Sequence, residues 1–365
     1  MPIEFLGMGA TNDGSETTPR SGGSFDPAYT IALARAHEEH GWDRVLTAYG
    51  SGSPDPAQAA ATIAAHTETL QVLVAHRPNL SIPTFAAKTF ATLDHASGGR
   101  VAVHVITGGS DHEQQREGDF LTKDERYGRT GEYIQVLKRA WTEHEPFDFD
   151  GEHYRFADFV SDVFPVQEPR PTISFGGSSD AAYAIGTAEA DVFCLWGEPL
   201  ADTAEQVARV RAEAAASGRG DQPRIQVAFR PIIAPTADEA WDKAHRVVSR
   251  IEDRKAGGQR YRRGGGDAPE NTGSQRLLEI ADRGDVHDTI LYSGTAKATA
   301  GAGNSNALVG TPQQVADALL AYVDLGIDVL SARGYDTLQD AIDFGDEVIP
   351  IVREGVASRD ARAGA

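Results

Sequence analysis

Thr172-Ile173-Ser174-Phe175-Gly176-Gly177-Ser178-Ser179-Asp180 runs from a short β-branched and aromatic stretch into two glycines, two hydroxyls and an acid. The first four residues read as a strand, and the rest as a tight turn that opens a helix. The same alternation recurs outward in both directions, with strand candidates at 3–9, 44–48, 70–75, 100–107, 172–175, 191–196, 225–233 and 328–331. Stretches with apolar residues at helical spacing lie between them. Asp26-Pro27 and Asp55-Pro56 supply an N-cap followed by proline in the first turn, Gly41 closes the first helix, Thr236 to Glu239 has capping-box spacing, and Thr311-Pro312 starts a helix that ends near Gly326. Eight βα repeats predict a closed (β/α)8 TIM barrel rather than an open doubly wound sheet, as one domain over 1–365. Two segments stand outside the repeat. Residues 147–160, with Asp150-Gly151 between aromatic-rich runs, read as a hairpin excursion. Residues 256–306, bounded by Gly264-Gly265-Gly266 and Gly301-Ala302-Gly303 around a helical stretch at 275–283, form a Gly-rich insertion between strands 7 and 8. That insertion reads either as a lid or as a surface loop without a role.

Composition sets the outer limits. The chain of 365 residues carries 54 Asp+Glu against 34 Lys+Arg, a formal charge of -20, and a field of that sign repels phosphate backbones and anionic lipid. Neither nucleic acid nor membrane is an expected partner. With 40% apolar residues there is material for a large core. The one cysteine, Cys194, excludes an intramolecular disulfide and a cysteine zinc cluster, no histidine pair has zinc-protease spacing, and no metal site is expected. No run of about 18 apolar residues occurs. With no recognisable leader, the expected location is the cytoplasm.

In such a barrel chemistry gathers at the C-terminal strand ends. The Gly176-to-Asp180 turn suits a phosphate through backbone N–H groups and hydroxyls at a helix N-terminus, or is simply a capped βα turn. Arg230, within an otherwise apolar strand, requires an anion or a carboxylate, so it is either a salt-bridge residue or a substrate clamp. Trp196 at its strand end packs, or walls a flat ligand. His76 and His104, on strands, and Asp111-His112, after strand four, are further candidates. His37, His40 and His66 belong to helices, where surface or helix-end positions are expected.

The ordered set Arg77-Pro78, Pro83-Thr84, Ala91 to Asp94, Gly98-Gly99-Arg100, Val105 to Gly109, Glu125-Arg126-Tyr127, Phe175 to Asp180, Trp196 to Pro199 and Ala307 to Gly310 resembles the bacterial luciferase-like flavin-dependent monooxygenases, most closely their alkanesulfonate monooxygenase branch. The resemblance runs from the first strand to about Pro350. It implies an FMNH2-dependent two-component monooxygenase, a homodimer or homotetramer, whose reduced FMN comes from an NAD(P)H-dependent flavin reductase. With O2 it would oxygenate a small organic substrate, here an organosulfur compound, a sulfonate or a sulfone. By motif, Ser178 and Ser179 with Gly177 would hold the FMN phosphate, Tyr127 would lie nearby and Thr107 would lie by the isoalloxazine ring. The insertion would be the lid. Trp196, Arg230 and Tyr335 would form the catalytic set. Ser53 stands with the cofactor-binding residues, where the branch carries a cysteine after strand two. Thr11 or Asn12 replaces a histidine after strand one, Arg230-Pro231-Ile232 keeps an arginine and lacks a histidine, and Lys297-Ala-Thr-Ala300 lacks the lid arginine. These changes remove positive charge where a sulfonate head would sit, so a sulfone or a ketone stands beside a sulfonate, with Lys297 as the alternative cation. Two further readings are a deazaflavin-dependent oxidoreductase on the same barrel and a non-catalytic flavin-binding protein.

Overall fold

A computed structural model describes residues 2–261, 269–303 and 305–363. In chain order its elements are β1 (Glu4–Met8), α1 (Pro27–Glu39), β2 (Arg44–Thr47), α2 (Pro56–Ala64), β3 (Gln71–His76), α3 (Pro83–Ser97), β4 (Val101–Val105), α4 (Asp111–Gln115) and α5 (Lys123–Thr142). Then come β5 (Phe147–Asp150), β6 (Arg155–Phe159), β7 (Thr172–Gly176), α6 (Asp180–Glu189), β8 (Val192–Trp196), α7 (Leu200–Ala216), β9 (Arg224–Ile233) and α8 (Ala237–Ala256). The chain finishes with α9 (Thr272–Arg283), β10 (Val286–His287), β11 (Leu291–Tyr292), α10 (Gly294–Ala298), β12 (Ala307–Gly310), α11 (Pro312–Asp324), β13 (Val329–Ala332), α12 (Thr337–Glu347) and α13 (Ile349–Ala363).

Strands β1, β2, β3, β4, β7, β8, β9 and β13 pair in parallel, and β9 joins both β8 and β13, which closes the ring as a (β/α)8 TIM barrel. The helices start where the caps lie: Asp26 accepts from Ala28 and Tyr29 N–H groups, Asp55 from Ala57 and Gln58, and Thr236 and Thr311 form capping boxes with Glu239 and Gln314. Gly41 adopts φ 82° just beyond α1, a left-handed conformation that glycine takes without strain. Residues 147–150 and 155–159 pair as an antiparallel hairpin outside the barrel.

Alternation sorts each strand into two faces. Phe5, Val45, Val72, Val74, Val103, Ile173, Phe175, Phe193, Ile225, Val227 and Phe229 turn outward into the main core beneath the helices. Inside the barrel, Leu6, Leu73, Ala102 and Val329 form a separate apolar layer with Leu46 packed on it. That layer divides the axis: Glu4, Arg44 and Arg224 lie on its N-terminal side, where Arg44 and Arg224 both bond the Glu4 carboxylate, and a cavity opens on its C-terminal side.

The 256–306 segment holds more regular structure than its glycine content suggests. Besides α9, it contains β10 and β11, which with β12 extend a small side sheet from the outer half of β9. Arg230 to Ile233 pair with β12, and Gln226 to Phe229 pair with β13, so one ten-residue strand serves both sheets. The Gly264-Gly265-Gly266 run lies outside the described residues. Among the described residues no helix is long and apolar enough to cross a membrane.

Candidate active site

The cavity, about 500 Å3, sits at the C-terminal ends of the barrel strands. Its size falls within the roughly 300–1,000 Å3 common for small-molecule and cofactor sites. The floor stands on the apolar layer and adds polar inward positions: His104 on β4, Cys194 on β8 and Gln226 on β9. His104 Nδ1 lies 2.9 Å from Ser174 Oγ on β7, and burial pushes the imidazole down to about 4, so it is neutral near pH 7. Burial also pushes the Cys194 thiol up to about 12, which leaves it protonated and poorly nucleophilic.

One wall is the β7–α6 turn. Ser179 caps α6 by accepting from the Ala182 N–H at 3.3 Å, and its hydroxyl donates to Tyr127 Oη at 3.2 Å. Tyr127 keeps its own phenolic proton, since burial raises its pKa. The helix N-terminus, the Ser178 and Ser179 hydroxyls, the Tyr127 O–H and the ammonium of Lys123 thus border one end of the cavity. Lys123 makes no ion pair among the described residues, whereas Arg126 beside it is held by Asp111 at 2.7 Å and by the Leu121 carbonyl at 2.6 Å. This end can hold an anion. The two glycines of the turn line the cavity and are also fixed by packing. A Cβ at Gly176 would lie 2.8 Å from the Cys194 carbonyl and one at Gly177 2.6 Å from Ala182 Cβ, so both are required by packing of the turn against its own strand and helix.

A second wall, adjoining the first at Ser178, comes from the insertion. Glu270, Asn271, Thr272 and Gly273 line the cavity, and a Cβ on Gly273 would lie 2.7 Å from the Trp196 ring and 3.4 Å from Ser178 Oγ. The segment is docked by Glu270, which accepts from the Asp111 N–H at 2.9 Å, and by Arg276 and Arg283, which pair with Glu198 and Asp202. Trp196, Leu195, Ile106 and Ala228 give the interior between these walls a mainly apolar lining.

The expected site residues divide. Thr107, Tyr127, Gly177, Ser178, Ser179 and Trp196 converge on this cavity. Thr107 Oγ1 lies 3.1 Å from Thr130 Oγ1. Ser53 sits in the β2–α2 connection, its N–H donating to the Gly50 carbonyl, and is not among the lining residues. Arg230 and Tyr335 also lie beside the cavity rather than in its lining. Arg230 is 2% exposed and its guanidinium is filled: Nη1 and Nη2 bond Glu16 at 3.0 and 2.9 Å, Nε the Arg333 carbonyl and Nη2 the Gly334 carbonyl, with the Tyr335 ring 4.1 Å from its Cζ. The salt-bridge reading of Arg230 is therefore the geometry observed. Lys297 pairs with the exposed Asp285 and does not line the cavity. His37, expected at a surface or helix-end position, lies in the last turn of α1 and is buried edge-on against Trp42, and His76 is buried against Tyr133 Oη at 2.6 Å.

His104, a strand candidate from the sequence, lines the cavity, and Cys194, Gln226, Lys123 and Arg333 line it beyond the expected residues. A visible signal existed for Cys194 and Gln226 as for His104: each is a polar residue at an inward position of an otherwise apolar strand. Among the described residues no group of His, Cys, Asp and Glu is placed to hold a metal ion.

The chain is thus an α/β barrel with a cavity of small-molecule size at the C-terminal ends of its strands. The family model for luciferase-like monooxygenases matches residues 6–329, and the chain belongs to that family, an enzyme of the flavin-dependent monooxygenase class. A riboflavin lyase, solved with modified FMN and riboflavin, shares 22% identity at a TM-score of 0.77 over 97% of this chain and 92% of that one. EDTA monooxygenase from Chelativorans sp. BNC1 shares 18% at 0.77, over 97% and 94%. An F420-dependent secondary alcohol dehydrogenase in complex with an F420-acetone adduct shares 15% at 0.69, over 96% and 99%. At these identities the likeness is one of fold.

Proposed function

We propose that the protein uses reduced FMN, delivered by a separate NAD(P)H-dependent flavin reductase, and O2 to oxygenate a small organosulfur substrate, with an uncharged sulfone favoured over a sulfonate. The observation that carries this reading is the cavity lining, which combines hydroxyls and an ammonium with aromatic and apolar side chains. The Ser178–Ser179 turn, Tyr127 and Lys123 fit a phosphate, and the span from there to Trp196 and Thr107 fits a flat ring system. When bound, reduced FMN supplies the electrons that activate O2. The protein's part is placement and exclusion. The α6 N-terminus and the two serines anchor the charged end, the Trp196 and Ile106 side chains keep water from the ring, and neutral His104 offers a polar contact at the floor.

The cations near the cavity argue for an uncharged substrate. Arg77 is held by Glu113 and Glu117, Arg126 by Asp111, and Arg230 by Glu16. Among the described residues Lys123 has no such carboxylate, and it lies at the end that fits the phosphate. Self-association into a homodimer or homotetramer is part of the same reading, supported by Ile82 and Phe85 at the start of α3, 63% and 57% exposed.

The test is rapid mixing of the protein and anaerobic FMNH2 with oxygenated buffer, with and without sulfonates, sulfones and ketones, while flavin absorbance and products are followed. Oxygenated product from one panel member, with flavin reoxidation altered by it, is the expected result. Reoxidation at the rate of free FMNH2 with every panel member would overturn the reading. Weaker binding of reduced FMN than of a reduced deazaflavin, by about tenfold or more, would replace it with the deazaflavin alternative.

A further inference from the structure

Glu16 belongs to the loop between β1 and α1 and contributes neither to the core nor to a helix cap. Its carboxylate sits between two guanidinium groups that arrive on different strands, Arg230 on β9 and Arg333 just after β13. Arg230 is fully satisfied. Arg333 is not: Nη2 bonds Glu16 Oε1 at 2.6 Å, but Nε is buried with no hydrogen-bond partner, and its side chain, 30% exposed, lines the cavity. Two positive charges share one negative charge, and the ring of Tyr335 closes the Arg230 side. These are the walls of an anion-binding pocket whose anion is part of the chain. The loop is secured around it, with the Ser15 carbonyl accepting from Arg254, the Glu16 carbonyl from Tyr261, and Thr17 Oγ1 donating to the Tyr335 carbonyl.

We propose that Glu16 determines substrate class by acting as an internal ligand for the Arg230–Arg333 pair. Its carboxylate holds the place that a sulfonate, sulfate or carboxylate head would take at the cavity rim, and so reserves the cavity for uncharged substrates. The walls around it are complete, so removing the carboxylate is enough to turn the same two arginines into a site for an external oxyanion. The naming of substrates rests on the monooxygenase reading, but anion exclusion does not, and the two are tested separately.

Wild type, Glu16→Gln and Glu16→Gly are titrated with methanesulfonate, butanesulfonate and acetate in the absence of flavin, and thermal unfolding is followed at constant ionic strength with chloride as the balancing ion. Wild type should be stabilised less than the variants by each of the three, since only the Ser178–Ser179 end of its cavity is open to an anion. The variants should unfold at lower temperature and regain stability as the oxyanion is added, since a ligand that binds only the folded state stabilises it in proportion to the logarithm of its excess. Affinity should exceed that of wild type by about tenfold or more. Adding Arg333→Met to Glu16→Gln should abolish the effect. Glu16→Gln preserves the side-chain shape and serves where the glycine variant does not accumulate. Wild type stabilised as strongly as the variants, or variants indifferent to oxyanions, would overturn the proposal. In a separate arm with FMNH2 and O2, Glu16→Gln should gain oxygenation of butanesulfonate. If no protein oxygenates anything, the monooxygenase reading fails while the unfolding result still decides the role of Glu16.

Discussion

The barrel axis carries polar groups on both sides of the Leu6, Leu73, Ala102 and Val329 layer, and the two sets differ in what they face. On the N-terminal side Glu4 takes both Arg44 and Arg224, charge against charge, and the Nε groups of both arginines are buried without a hydrogen-bond partner. On the C-terminal side His104, Cys194 and Gln226 border open space, and Lys123 and the Tyr127 proton have no protein acceptor among the described residues. Both sets are buried polar residues on strands. What distinguishes a structural cluster from a binding one is unused hydrogen-bonding capacity facing a cavity.

The largest effect should come from breaking the closed set. Glu4→Leu leaves Arg44 and Arg224 side by side without a counter-ion, a loss of about 3–5 kcal/mol in unfolding free energy by denaturant titration. Reduced FMN should bind the folded fraction as before. A parallel loss of affinity would mean that the apolar layer does not insulate the two ends. At the open end, Tyr127→Phe should weaken reduced FMN binding about tenfold in an anaerobic titration, as expected for one hydrogen bond to a charged group of about 1.5 kcal/mol, with stability nearly unchanged. Ser179→Ala should lose similar affinity and also about 1 kcal/mol of stability, because it caps α6. Equal affinities for wild type and both variants would remove the turn from the cofactor site.

The smallest effect concerns protons. Burial pushes His37, His76 and His104 down to about 4, so near pH 6 the folded chain keeps them neutral while the unfolded chain protonates them. Their contribution is complete above about pH 6.5 and is lost as pH falls toward 4. His104→Asn removes one of these groups, and its unfolding free energy should fall less steeply than that of wild type, by about 1 kcal/mol between pH 7.5 and 5.5. Identical slopes would show that His104 is protonated in the cavity.

Period and caps made the eight barrel strands legible to within a residue or two at most ends, because each βα unit is a local pattern: Asp26, Asp55, Thr236 and Thr311 all cap where expected. Gly177, Ser178 and Ser179, which line the cavity, belong to a local motif as well. What stayed hidden was pairing across the chain. Nothing near Arg230 announces Glu16, which lies 214 positions away and meets it only when the barrel closes. The strands of the side sheet are two to four residues long, too short to show a period. His37 holds a helix-end position in the last turn of α1, but its inward turn beside Trp42 was not legible, since a histidine on a helix shows no preference for either face by itself.

Strand β9 imposes a constraint on how this molecule can change over time. Its even-numbered residues, Arg224, Gln226, Ala228 and Arg230, successively meet the lower ion cluster, the cavity floor, the cavity wall and Glu16. A single inserted or deleted residue would turn those beyond it to the opposite face. Substitutions here can be tried one at a time, but changes of length cannot, and length variation among descendants of this sequence should accumulate in the connections on either side of α9 while β9 keeps its count.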